Sequence, residues 1–158
     1  MDKKANLLIQ KLKAKGLTLA LAESMTCGLA AHKLSGCPGT SEVLTGSIVC
    51  YTPEVKINLL SVPKKRIEKY TCESQQVTET LAQNLSKIVE ADICAAVTGL
   101  ASTGGSETKN KPVGTVFLSV YTKRKIYNER KLFRGSPLEI RKKACTALYE
   151  LILRKLEL

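Results

Sequence analysis

The stretch LTLALAESMTCGLAAHKL, residues 17–34, changes character at its middle. Residues 17–22 form an apolar run that reads as a short buried strand, and a helix-like run follows from about Thr26 to residue 34. Between them crowd Glu23, Ser24, Thr26 and Gly28. A strand turning directly into a helix is the repeating joint of α/β proteins. Amides at the helix start point outward unpaired, so such a joint is a natural place for chemistry. The same residue types also serve as plain helix caps, because Ser and Thr oxygens accept the first orphan N–H bonds.

The flanking sequence supplies the rest of an α/β order. Residues 5–15, ANLLIQKLKAK, repeat apolar positions at helical spacing, and Gly16 stands where a helix C′ residue belongs. The segment GCPGTSE reads as a loop. Residues 43–51, VLTGSIVCY, predict a strand, after which Thr52 caps a helix with Pro53 at its first position. A further short helix, PKKRIEKY, opens on Pro63. Ser74 then caps QQVTETLAQNLSKIVE, with Val77, Leu81, Leu85, Ile88 and Val89 on one face. Residues 92–98, DICAAVT, predict a strand buried on both faces. Strands over 113–121 and 126–133 are joined by a tight turn at Lys123 and Arg124. A last helix starts at about Pro137, with Ile140, Ala144, Leu148 and Leu151 facing inward. This order predicts a single three-layer α/β/α domain over residues 1–158, with a mixed, mainly parallel sheet of about five strands and an antiparallel last hairpin.

Composition narrows the function classes. With 158 residues and 44% hydrophobic content, the chain is long enough to bury a core without staples. Charges interrupt every apolar stretch near the start, which argues against a signal peptide or membrane span and for a cytoplasmic protein. The six cysteines stand at 27, 37, 50, 72, 94 and 145 with no CxxC pair, and there is one histidine. Reduced thiols fit this pattern better than disulfides or a metal site. The net charge of +11 is spread along the chain, and aromatics make up 4%. A nucleic-acid binder would gather its basic residues and interleave stacking platforms, so the charge reads instead as a solvated surface that helps attract an anionic small molecule.

Ligands of open α/β sheets bind beyond the carboxyl ends of parallel strands. Three such ends carry unusual residues: Glu23 with Ser24, Tyr51 with Lys56 one helical turn later, and Thr98 with Gly99 ahead of a long loop holding Gly104 and Gly105. A serine hydroxyl needs a base, and His32 falls mid-helix, facing away from Ser24. A Ser-His-Asp triad is thereby disfavoured, and a lysine base of the Ser-Lys kind becomes the candidate, with Lys56 as base and Tyr51 orienting the proton. The alternative at this level is an ordinary helix-surface lysine beside a strand-closing tyrosine.

Three collinear blocks carry a family resemblance. AESMTCG with the following PGTS is similar to the ESxTGG and PGSS of the carboxy-terminal domain of CinA proteins. GSIVCYTPEVKINLLSVP is similar to that family's G-x-V-x-Y-SNEAK-x-x-LGVP, and AVTGLASTGGSETKNKPVGTV to its TGIAGP, glycine run and KPVGTV. The family includes stand-alone nicotinamide mononucleotide deamidases and has a three-layer α/β/α fold. The resemblance implies hydrolysis of the nicotinamide mononucleotide carboxamide to acid and ammonia, a step of NAD recycling, by a Ser/Lys amidohydrolase without metal or cofactor. On matching positions it makes Ser24 the nucleophile, Lys56 the general base and Tyr51 its hydrogen-bonding partner. It assigns substrate binding to Glu23, Thr26, Gly28, Thr98, Gly99, Gly104, Gly105 and Arg141, the last as phosphate ligand, with amides near Thr26 to Gly28 holding the oxyanion. It also implies a homodimer.

The chain departs from the pattern in several places. Cys27 stands at the first glycine of TGG, Thr52-Pro53 at the usual SN, Ser102-Thr103 at GP, and FRGSP at FPGDR. The rival expectation from these changes is a non-catalytic domain of the same fold that binds a nucleotide, nucleic acid or protein.

Overall fold

A computed structural model describes residues 2–156 of the chain. The expected domain span of 1–158 therefore has its first residue and last two outside the described residues. Helix α1 (Lys3–Ala14) is capped by the Asp2 carboxylate and stops at Gly16, whose φ of 63° is the left-handed value a glycine accepts freely. Strand β1 (Leu19–Glu23) follows, then α2 (Leu29–Ser35), α3 (Thr40–Val43) and β2 (Leu44–Val49). Next come α4 (Pro53–Asn58), α5 (Lys64–Tyr70), α6 (Gln75–Leu85) and β3 (Ile93–Gly99). Strands β4 (Thr115–Thr122) and β5 (Lys125–Leu132) form the closing hairpin before α7 (Pro137–Leu156).

The sheet has the order β2-β1-β3-β4-β5. Strand β1 pairs in parallel with both β2 and β3, whereas β4 is antiparallel to β3 and to β5. Four of the five strands thus point one way, as the expected mixed, mainly parallel sheet requires. The chain leaves β1 for β2 on one side and returns past it to β3 on the other. Right-handed crossovers in opposite directions place their helices on opposite faces and leave a crevice at the carboxyl end of β1.

Alternation along β1 makes the layers. Leu19 and Leu21 join α1, α2 and α7 in one apolar cluster, while Ala20 and Ala22 face Val77, Leu81 and Leu85 of α6 in the other. Each of the three large α6 residues is fully buried, which is worth about 1.5–3 kcal/mol apiece. Small residues on the α6 side of β1 and β3, among them Ala20, Ala22 and Ala96, leave room for that helix to approach.

Element ends differ from expectation where polar contacts decide them. Strand β1 runs to Glu23 rather than residue 22, because its ladder with β3 continues through Glu23 and Val97. Helix α2 begins at Leu29, not Thr26, since residues 24–28 form a separate turn. The expected loop GCPGTSE contains the helical turn α3, and β2 stops at Val49 instead of Tyr51. Helix α6 ends at Leu85, which leaves Ile88 exposed rather than on the buried stripe. The Lys123–Arg124 turn takes φ values of 49° and 60°, as a tight two-residue hairpin demands.

Candidate functional site

The carboxyl ends of β1, β2 and β3 meet where the crevice opens. Glu23 is fully buried, and its carboxylate accepts bonds from Thr26 Oγ1 (2.8 Å), Ala30 N (3.0 Å), Ala31 N (2.9 Å) and Ser47 Oγ (2.9 Å). It caps α2 from the preceding strand and ties both to β2. Glu23 and Thr26, expected to touch substrate, instead hold the turn together, and neither lines the cavity described below. The α2 amides of Ala30 and Ala31 are consumed by this cap, and Cys27 N bonds to the Ser24 carbonyl. Of the amides expected to hold an oxyanion, Thr26 N and Gly28 N have no acceptor among the described residues, and neither does the adjacent Met25 N. Gly28, with a φ of 89°, is the N-cap residue of α2, where the Glu23 carboxylate stands in for the side chain it lacks, and it is outside the cavity lining.

Ser24 is the next residue after β1, and strand alternation turns it away from the Glu23 side. Its N–H extends the β1–β3 ladder to the Val97 carbonyl at 3.1 Å. Lys56, in α4, is 1% exposed despite its charge-bearing side chain. Its Nζ donates to the Cys50 carbonyl (2.6 Å), the Tyr51 carbonyl (3.2 Å) and Ser24 Oγ (3.0 Å). The two carbonyls can only accept, whereas the serine hydroxyl can accept or donate. A neutral amine at this position keeps both N–H bonds to the carbonyls and turns its lone pair toward Ser24. Burial raises the Cys50 thiol to about 11, so this neighbour is no competing nucleophile.

Tyr51 reaches Lys56 through its main-chain carbonyl only. Its side chain is 58% exposed and lines the cavity. His32 is exposed on α2 and absent from the cavity lining.

The cavity holds about 230 Å³ and is bordered by Ser24, Met25, Tyr51, Glu73, residues 99–105 and Arg141. Gly99 makes its closest joint: a Cβ there would lie 2.5 Å from the Thr115 carbonyl oxygen and 2.6 Å from Met25 Sδ, so only glycine lets the loop sit against the Ser24 turn. Thr98 faces the other way, its hydroxyl 2.8 Å from that of Thr78 in α6 and fully buried. Gly104 and Gly105 line the cavity, yet both N–H groups donate to the Glu107 carboxylate at 2.8 Å. The free amides lie just upstream, since Ala101, Ser102 and Thr103 N–H have no acceptor among the described residues. Arg141, in the first turns of α7, has a buried Nε without a partner among the described residues.

Sequence reasoning missed Glu73 and the contacts that hold it. Lys111 Nζ donates to Thr71 Oγ1 (2.7 Å), Ser106 Oγ (2.8 Å) and the Glu73 carbonyl (2.9 Å), and Ser106 Oγ donates to Glu73 Oε2. Burial pulls the Lys111 amine below the ordinary lysine range, with the Glu73 charge opposing. Glu73 precedes a helix cap and reads locally as a surface carboxylate, so nothing in its neighbourhood marked it. Among the described residues no three His, Cys, Asp or Glu side chains gather as a metal site, no helix is long and apolar enough to cross a membrane, and the cysteines are free.

These features define an open-sheet α/β/α domain with a buried serine–lysine contact and a polar cavity at its crevice. The chain belongs to the CinA C-terminal domain family, whose model matches residues 1–156. It is 46% identical over 114 residues to a CinA-like protein of Pseudothermotoga lettingae, covering 72% of this chain and 28% of that protein. A CinA-like protein of Petrotoga mobilis is 41% identical over 128 residues, 80% of this chain and 31% of the relative. The chain thus spans less than a third of the length of these curated relatives. Among solved structures, the competence/damage inducible protein CihA of Agrobacterium tumefaciens superposes with a TM-score of 0.91 at 28% identity, covering 99% of this chain and 94% of that one. Cys27, standing at the family's glycine, takes a φ of 50° with its side chain exposed and outside the cavity lining. The position favours glycine for its left-handed backbone, and a side chain there leaves the cavity open.

Proposed function

We propose that this domain hydrolyses the carboxamide of nicotinamide mononucleotide to the acid and ammonia. The observation that carries the reading is the 3.0 Å contact between Lys56 Nζ and Ser24 Oγ, with two carbonyls occupying the other sides of the amine. The neutral Lys56 amine takes the hydroxyl proton as Ser24 Oγ bonds to the carboxamide carbon. The carbonyl oxygen becomes an oxyanion, for which the unpaired N–H of Met25, the residue after the nucleophile, is the donor at the cavity. Lys56 returns the proton to the nitrogen as the C–N bond breaks, and ammonia leaves. Water then attacks the acyl-serine, Lys56 again taking a proton, and the acid departs as Ser24 regains its hydrogen.

Arg141 suits the phosphate: its Nε is buried and unpartnered, and a guanidinium fork matches phosphate oxygens. The unpaired amides of Ala101 to Thr103 add neutral donors. Tyr51 lines the cavity as a side-chain contact and serves Lys56 through its carbonyl. The test is ammonia release from nicotinamide mononucleotide by the wild type, and its loss in Ser24→Ala and Lys56→Met proteins that still melt cooperatively. Binding without turnover in the wild type would sink the hydrolytic reading and leave a nucleotide-binding domain.

A further inference from the structure

Among the described residues that border the cavity, Glu73 is the only carboxylate. Its Oε2 accepts from Ser106 Oγ, while Oε1 has no hydrogen bond among the described residues. No salt bridge to its carboxylate forms among the described residues: Lys111, whose charge acts on Glu73 from beyond Ser106, spends its three donors on Thr71 Oγ1, Ser106 Oγ and the Glu73 main-chain carbonyl. That lysine pins the turn before α6 to the 99–112 loop and so fixes where the carboxylate stands. Glu73 is also half-buried, and a half-buried carboxylate with one free oxygen is stabilised by any cation that enters beside it. Arg141 borders the same cavity with its own buried Nε unpaired. A ligand matching both walls carries one positive and one negative group.

We propose that Glu73 is a specificity-determining residue that selects a substrate with a cationic heteroaromatic ring, its anionic group lying at Arg141. This rests on the hydrolase reading for the identity of the ring, the quaternary pyridinium of nicotinamide mononucleotide. The ring keeps its charge through deamidation, so Glu73 acts on substrate and product alike and its loss raises KM more than it lowers kcat. A neutral carboxamide of the same shape gains nothing from the carboxylate.

The experiment compares nicotinamide mononucleotide with its reduced form, whose dihydropyridine ring is neutral. Calorimetric Kd values for both are measured on Ser24→Ala protein, which cannot turn over, with Glu73 intact and with Glu73→Gln added. Glutamine keeps the acceptor for Ser106 and removes only the charge. With Glu73 the oxidised form should bind about tenfold more tightly than the reduced form, and Glu73→Gln should erase the difference. Equal weakening of both ligands would show a merely structural role and overturn the proposal. A preference unchanged by the substitution, no preference at all, or no binding of either ligand would overturn it as well. Wild-type protein assayed for ammonia in parallel separates the two readings, since a charge preference without turnover defeats the hydrolase reading alone.

Discussion

On the side of the cavity built by the ends of β1 and β2, Glu23 accepts four hydrogen bonds and Lys56 donates three, in buried or part-buried surroundings. On the side built by residues 99–112, the turn before α6 and the start of α7, polar groups stand free. The N–H groups of Ala101 to Thr103, Arg141 Nε and one oxygen of Glu73 have no partner among the described residues. Side chains bonded in this way hold their geometry before any ligand arrives and leave the free Met25 amide of this wall for the reacting group, which is what bond-making needs. Unsatisfied groups draw their stabilisation from a ligand, which is what recognition needs. On the proposed reading the first wall carries the reaction and the second the choice of ligand.

Substitutions can break that contrast. The largest effect is expected at the reacting pair: Ser24→Ala or Lys56→Met should lower ammonia release by at least about 10³-fold. Melting curves should show both proteins folded, because methionine fills a buried lysine site without leaving a charge. Retained turnover in either would undo the assignment of chemistry to this wall.

Glu23→Ala should act on stability. It leaves four donors around an empty buried site, and urea titration should show a loss of about 3–5 kcal/mol. A loss under about 1 kcal/mol would mean that the wall does not depend on this cap.

Arg141→Ala is the counterpart on the other side. It should weaken the phosphorylated substrate by about 30- to 100-fold, leave the unphosphorylated nucleoside unaffected, and hardly shift the melting temperature. A large drop in stability would place Arg141 among the satisfied groups instead.

The smallest effect is expected at the opposite end of the sheet, where Asp92 accepts from Thr18 N and Thr18 Oγ1, both at 2.8 Å. The bond from the Thr18 N–H, then that from its hydroxyl, holds this carboxyl below the usual aspartate range. A depressed carboxyl contributes stability above its unfolded pKa of about 4 and loses it as pH falls through the folded value. Asp92→Ala should therefore cost less than about 1 kcal/mol at pH 7, solvent screening included, with the gap to wild type closing toward pH 2. Turnover should not change, which makes the variant a control for both walls.

Much of this was legible in the chain. The apolar run before Glu23 gave β1, the Ser74 cap gave the start of α6, and Lys123–Arg124 gave the hairpin, because each signal is a local period or a local bond. The proposed nucleophile and base also stood out, since Ser24 and Lys56 each follow a parallel strand end. Glu23 was assigned to substrate through the family resemblance, while its partners Ala30, Ala31 and Ser47 become neighbours only after α2 and β2 pack. Thr98 misled for the same reason, its hydroxyl being claimed by Thr78 across the α6 interface.

The sequence by itself determined the strands and the longer helices, their alternation and hence the three layers, because periods of two and 3.6 residues dictate which faces must be buried. It also determined that a serine and a lysine follow the ends of consecutive strands, which the sheet order makes neighbours. Only the tertiary structure decided that Glu23 turns into the wall while Ser24 turns into the cavity, since that depends on the register of β1 and on where its ladder ends. It alone brought Glu73 to the same cavity as Ser24 and Arg141. Residues so far apart in the chain meet through loop closure and packing, and no local period records such a meeting.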